Sequence, residues 1–169
     1  KVKKPHFAHK TTQECSGETY LHKLGKKIFF ETYQQCLNEG SPFLVNLKFS
    51  KRCRKYKGMI LKYCDLGHSN KDFDLTQYFT EILVEKRDGE FIPDLLLKRK
   101  DQPEETIYIE IAVTHFLSSK KEESGRRIIE IPIETEEDIQ KIKSARLTPE
   151  DALFLGFNQT TQVVLDHEC

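Results

Sequence analysis

Phe91-Ile92-Pro93-Asp94-Leu95-Leu96-Leu97 and, nine residues further on, Ile107-Tyr108-Ile109-Glu110-Ile111-Ala112-Val113-Thr114 are the two runs whose reading decides the fold. The second is β-branched and aromatic over the length of one strand, and it reads like a strand buried on both faces. Alternation puts Ile107, Ile109, Ile111 and Val113 on one face and Tyr108, Glu110, Ala112 and Thr114 on the other. Glu110 is out of place there. An unpaired buried carboxylate costs several kcal/mol, so either the second face is wet or the charge is compensated. An amphipathic strand with one face in solvent accounts for Glu110 as simply as a functional acid does.

Asp94 interrupts the first run in the same way. Asp88-Gly89 is a hairpin turn signal, flanked by strand-like segments at Phe79–Lys86 and Glu90–Lys98. Polar residues 99–105 make a second turn, which brings the strand of Asp94 beside that of Glu110. Two carboxylates on neighbouring strands repel unless a cation lies between them. Hard oxygen ligands of this kind suit Mg²⁺, which keeps several waters and is completed by phosphate oxygens of a substrate. Pro93 points to a bulge or edge that splays the strand and opens the site.

Further out, a helix starts near Ser16 as N-cap, with Glu18 in its first turn, where the helix dipole favours an acid. Leu21, Leu24, Ile28, Phe29, Tyr33 and Cys36 follow at helical spacing, and Gly40 is the stop. Phe43–Phe49 reads as a strand, and residues 51–70 as a hairpin or irregular insertion. Beyond Thr114 come a short helix over 117–124, a strand at Arg127–Ile133 and an amphipathic helix at Glu134–Ala145. The order α-β-β-β-α-β with a final helix predicts an α/β protein with a mixed sheet covered by helices.

With 169 residues, 37% hydrophobic and 32% charged, the chain fits one domain and has no run long enough to cross a membrane as a helix. The start, Lys1 to His6, has no initiator Met and no apolar core of a signal peptide, so it is expected to lie inside a longer protein. Five cysteines without a CxxC pair and without a secretory signal suggest reduced thiols and a cytoplasmic location. Lys+Arg and Asp+Glu balance at 27 each, but unevenly along the chain. Residues 43–64 carry seven bases (Lys48, Lys51, Arg52, Arg54, Lys55, Lys57, Lys62) and no acid, whereas 130–138 carry five acids and no base. Two solvated faces of opposite sign would explain this. So would a phosphate-binding surface formed by Lys48, Lys51, Arg52, Arg54, Lys55 and Lys57.

Pro93-Asp94, fifteen residues and then Glu110 on the next strand resembles the PD-(D/E)xK nuclease motif. The stretches HFAHKTTQECSGE, EFIPDLLL, YIEIAVTH and SGRRIIEIPI, spread over residues 6–133, are similar to the competence-protein CoiA-like branch of that superfamily. The resemblance implies a restriction-endonuclease-like αβββαβ core over residues 16–169, with an insertion at about 43–78. It implies Asp94 and Glu110 as ligands of Mg²⁺ or Mn²⁺, helped by the Ile111 carbonyl, with Glu18 as a further acid. The third motif position, where the superfamily has Lys, is Ala112 here. Lys121 stands where this branch places a migrated lysine, with Lys120 as an adjacent rival, and His115 would orient water or touch phosphate. Both lysines also fit an ordinary solvated surface, Glu18 a helix-capping acid and His115 a polar strand end.

His6, His9 and Cys15 resemble the end of an upstream zinc-binding segment over residues 1–15. Cys53 and Cys64, with His68 nearby, sit where the branch carries CxxC pairs; structural Zn²⁺ and idle thiols are both open readings. The expected activity is therefore metal-dependent hydrolysis of DNA phosphodiester bonds. The alternatives are a nucleic-acid-binding module without catalysis, or a zinc-stabilised interaction domain of a DNA-processing or defence complex.

Overall fold

A computed structural model describes residues 17–53, 64–113, 121, 123–157 and 162–164, with side chains over 20–49, 68–113, 121 and 123–157. Helix α1, Gly17–Glu39, ends as its sequence requires. Gly40 takes φ +67°, and the Ser41 amide reaches back to the Cys36 carbonyl at 3.0 Å, closing the last turn. Of its residues, Gly25, Phe29, Tyr33 and Cys36 are buried, a stripe with steps of four, four and three.

Two mixed sheets follow, so the class is α/β. In one, β1 (Leu44–Cys53) and β2 (Cys64–Asp74) form a long antiparallel hairpin, and β1 also pairs in parallel with β7 (Arg146–Leu147) and β9 (Gln162–Val164). Of the segment read as hairpin or irregular, the described ends pair antiparallel with Cys53 opposite Cys64, and residues 54–63 lie outside the described residues.

The other sheet has five strands: β3 (Glu81–Val84), β4 (Leu95–Lys98), β5 (Thr106–Ala112), β6 (Arg127–Pro132) and β8 (Leu153–Leu155), side by side in that order. Only the β5–β6 pair is parallel; its neighbours are antiparallel. Leu95, Leu97, Ile107, Ile109, Ile111, Ile129 and Ile131 face the α1 stripe and complete the main core with Phe29, Tyr33 and Phe43.

Three elements differ from the sequence reading. The second strand of the hairpin starts at Leu95 rather than Glu90: Asp88 bridges to Phe91 across a turn with Gly89 at φ +63°, and Pro93 supplies no amide to a ladder. The run expected as a helix over Glu134–Ala145 is a 3-10 turn, Glu136–Asp138, and a five-residue helix α2, Ile139–Lys143. The acidic run is not one solvated face, because Glu130 points inward from β6 with 3% exposure.

Gly25 sets how close α1 lies to the sheet. A Cβ there would stand 2.6 Å from Ile133 Cδ1 and 2.9 Å from Ile111 Cγ2, the latter on a branched side chain locked in the core. Gly25→Val is expected to lower unfolding free energy in urea by about 2–3 kcal/mol through overpacking. An unchanged midpoint would show that the helix can shift without loss.

Candidate active site

The second face of the sheet is not wet, which overturns the amphipathic-strand reading of Glu110. Leu96, Tyr108 and Ile128 are buried in a second cluster, packed by Leu83, Phe91 and Leu155, and Glu110 follows Tyr108 on that face with its side chain only 13% exposed. In this setting a carboxylate needs partners, and the chain supplies one. Lys121 Nζ donates to Glu110 Oε1 at 2.7 Å. Lys121 has helical backbone, and its carbonyl is held by the Ser124 hydroxyl at 2.6 Å, which fixes the lysine near the end of β5.

Asp94 sits one residue before β4, and the pairing of Leu95 with Ile109, extended by one, places it opposite Glu110. Its Oδ2 accepts the Ile111 amide at 2.9 Å, so the carboxylate takes a ladder position that the backbone leaves at Pro93. From α1, His22 Nε2 lies 3.0 Å from Asp94 Oδ2 and Lys26 Nζ 3.7 Å from Asp94 Oδ1. Lys26 also donates to Glu85, whose amide bonds the Asp94 carbonyl at 3.0 Å. On the far side, Glu130 is the register partner of Glu110 across β5–β6. Four acids, Glu85, Asp94, Glu110 and Glu130, therefore form one row over adjacent strands, with Lys26 and Lys121 set against it.

The electrostatics follow from this row. Burial is the largest influence on Glu110 and raises its pKa to about 7, with Asp94 and Glu130 adding to the rise and Lys121 opposing it. The lysine does not fully offset the desolvation of the acid.

Of the residues singled out from sequence, Lys121 meets Glu110 at 2.7 Å, and Asp94 is set opposite Glu110 by strand register while its own contacts go to His22, Lys26 and the Ile111 amide. Glu18 lies on α1, one turn before His22, and its side chain is outside the described residues, as are His115, Lys120, His6, His9 and Cys15. Lys48 is exposed on β1 of the other sheet; Lys51 and Arg52 continue that strand with side chains outside the described residues, as are Arg54, Lys55 and Lys57 altogether. Sequence reasoning missed His22, Lys26 and Glu85. The available signal was Gly25: a glycine inside an apolar helical stripe marks close approach, and His22 and Lys26 flank it at the edge of that contact.

Among the described residues, no three His, Cys, Asp or Glu side chains converge as a ligand cluster. Two facing carboxylates are nonetheless the donor set Mg²⁺ or Mn²⁺ takes when waters and substrate oxygens fill the other positions. Burial is the main reason the Glu110 pKa is raised, and the smaller repulsion from Asp94 that adds to it is what a cation would relieve.

Compared with known proteins, the chain matches no family, no curated protein and no solved structure.

The raised pKa of Glu110 fixes a sign. A carboxyl titrating near 7 in the fold and near 4.5 unfolded holds its proton longer in the folded state, so this group's contribution to stability falls as pH rises between those values and is flat above. In EDTA, Glu110→Gln should melt at least about 2–4 °C above the parent at pH 8 and close to it at pH 4.5. An equal difference at both pH values would mean that Glu110 is not held protonated by its surroundings.

Proposed function

We propose that the chain is a metal-dependent nuclease of the PD-(D/E)xK kind, hydrolysing phosphodiester bonds of DNA. One observation carries this reading: Lys121 Nζ stands 2.7 Å from Glu110, the acid opposite Asp94. The motif lysine is absent at Ala112, and Lys121, paired with Glu110, would supply its charge in this reading. The sequence α1, β3, β4, β5, Lys121 in helical conformation, then β6 parallel to β5, also fits a restriction-endonuclease-like αβββαβ core.

Asp94 and Glu110 would hold Mg²⁺ or Mn²⁺, with Glu18 as a further acid. Bound there, the metal supplies Lewis acidity toward the phosphodiester and acidifies a coordinated water. The chain's own groups do the rest. Lys121 offers an ammonium to the charge that builds on phosphate oxygens or on the attacking hydroxide. The Ile111 amide and His22 fix the rotamer of Asp94, so the acid is positioned before any ligand arrives. Lys26 balances Asp94 and Glu85. His115 would touch water or phosphate near the end of β5. The basic run of β1, with Lys48, Lys51 and Arg52, would engage backbone phosphates away from the cut, and Arg54, Lys55 and Lys57 would extend it.

A nucleic-acid-binding module without catalysis is the second reading, and one observation favours it. Asp94 is already engaged by His22, the Ile111 amide and Lys26, and Glu110 by Lys121, so both acids are satisfied by the protein itself.

Cleavage of labelled DNA, single- and double-stranded, with Mg²⁺ or Mn²⁺ separates the two. The nuclease reading expects metal-dependent cleavage that Glu110→Gln abolishes in a folded protein. Lys121→Ala should lower the rate by roughly 10²–10³ with metal affinity nearly unchanged, the size expected for one electrostatic stabiliser. DNA binding without cleavage of any form would favour the second reading, and full activity in Glu110→Gln would remove this site from the chemistry.

A further inference from the structure

We infer that the pocket framed by Gly89, Phe91, Glu123, Ser124 and Arg126 receives one base of the nucleic-acid substrate beside the cleaved phosphate, with Arg126 reading its edge. This rests on the nuclease reading for its substrate class, and on geometry of its own for the pocket.

The pocket has a volume near 580 Å³, within the ~300–1,000 Å³ usual for ligand sites. It adjoins the candidate active site through two connections. Arg126 lies with its guanidinium carbon 5.7 Å over the ring of Tyr108, which precedes Glu110 by two residues on one face, ~7 Å along the strand. Ser124, in the pocket wall, donates its hydroxyl to the Lys121 carbonyl and accepts the Arg126 amide at 3.2 Å. Pocket wall and Lys121 are thus one hydrogen-bonded piece.

Arg126 is set in place in advance. Its Nη1 donates to Asp88 Oδ2 at 3.2 Å, and the same oxygen accepts the Tyr108 hydroxyl at 2.9 Å and the Thr106 hydroxyl at 3.3 Å. Among the described residues, Nη2 and Nε of Arg126 make no hydrogen bond, and its side chain is 39% exposed. An oriented guanidinium with free donors on one edge suits a planar acceptor pair, which a base presents.

The rest of the lining distinguishes a base from a phosphate. Glu123 stands at the same pocket and would repel a phosphate, and Asp88 already balances the charge of Arg126. A base offers acceptors for Arg126, amino donors for Glu123 and for the remaining lone pair of the Ser124 hydroxyl, and a π face against Phe91. Among the described residues Glu123 makes no hydrogen bond or ion pair, so its acceptors are available.

The test uses single-stranded oligonucleotides that differ only in the bases flanking the cut, with Mn²⁺, for the parent protein, Arg126→Lys and Glu123→Gln. The parent should prefer certain bases at one flanking position. Arg126→Lys keeps the charge but loses the fork, and should raise KM for the preferred base about tenfold, leave kcat within about twofold and flatten the preference. Glu123→Gln should change which base is preferred; because it breaks no contact, it decides the matter if Arg126→Lys fails to fold. Unchanged base preference and KM in both variants, with cleavage intact, would overturn the pocket while leaving the nuclease reading standing. If the parent cleaves nothing, anisotropy with the four homopolymeric deoxyoligonucleotides decides the pocket alone: base-dependent affinity lost in Arg126→Lys supports it, and base-independent or variant-independent affinity overturns it.

Discussion

Carboxylates in the middle of a buried sheet are the constraint on which the rest of this structure depends. Glu110 lies among Tyr108, Ile128 and Leu96 at 13% exposure, and Asp94 faces it from the neighbouring strand. Removing such charges from water costs several kcal/mol each, and the attraction of a lysine offsets that only in part. The pKa of Glu110, pushed up to about 7 despite Lys121, records the shortfall. Three elements, α1, β4 and the segment after β5, converge on this small area and compensate the charge.

Each of the three has its own local reason for being there. Helix α1 brings His22 and Lys26 to Asp94 because Gly25, between them, lets the helix settle against Ile111 and Ile133. The strand β4 starts only at Leu95, after Pro93, which has no amide for a ladder, and the Ile111 amide beyond the paired residues donates to the Asp94 side chain. The segment after β5 supplies Lys121, fixed through Ser124 to Arg126 and, by way of Asp88, to Tyr108.

Much of this could be read in the sequence. The length of α1, the strands β5 and β6, and the pairing of the strands bearing Asp94 and Glu110 followed from periodicity and turn residues alone. The placement of Lys121 on Glu110 followed from family resemblance, because a lysine eleven positions away in the chain carries no periodic signal. Other features were hidden for physical reasons. The late start of β4 at Leu95 was hidden because Phe91 and Ile92 are as apolar as Leu95 and lengthen the apparent strand. Glu130 looked like part of an acidic surface run because its burial depends on a strand pairing, β6 on β5, that lies outside its own neighbourhood. The spacing of His22 and Lys26 gives no signal until the glycine between them is given its packing role.

The central claim is that Asp94 and Glu110 form a divalent-cation site, and diffraction from crystals soaked in Mn²⁺ tests it most directly, because Mn²⁺ scatters anomalously and marks its own position. The account predicts one anomalous peak with carboxylate oxygens of both Asp94 and Glu110 at ~2.1–2.2 Å, and Lys121 still within reach of the ion's water or of Glu110. Millimolar Mn²⁺ that leaves the ion pairs with Lys26 and Lys121 intact and no peak between the two acids would contradict it.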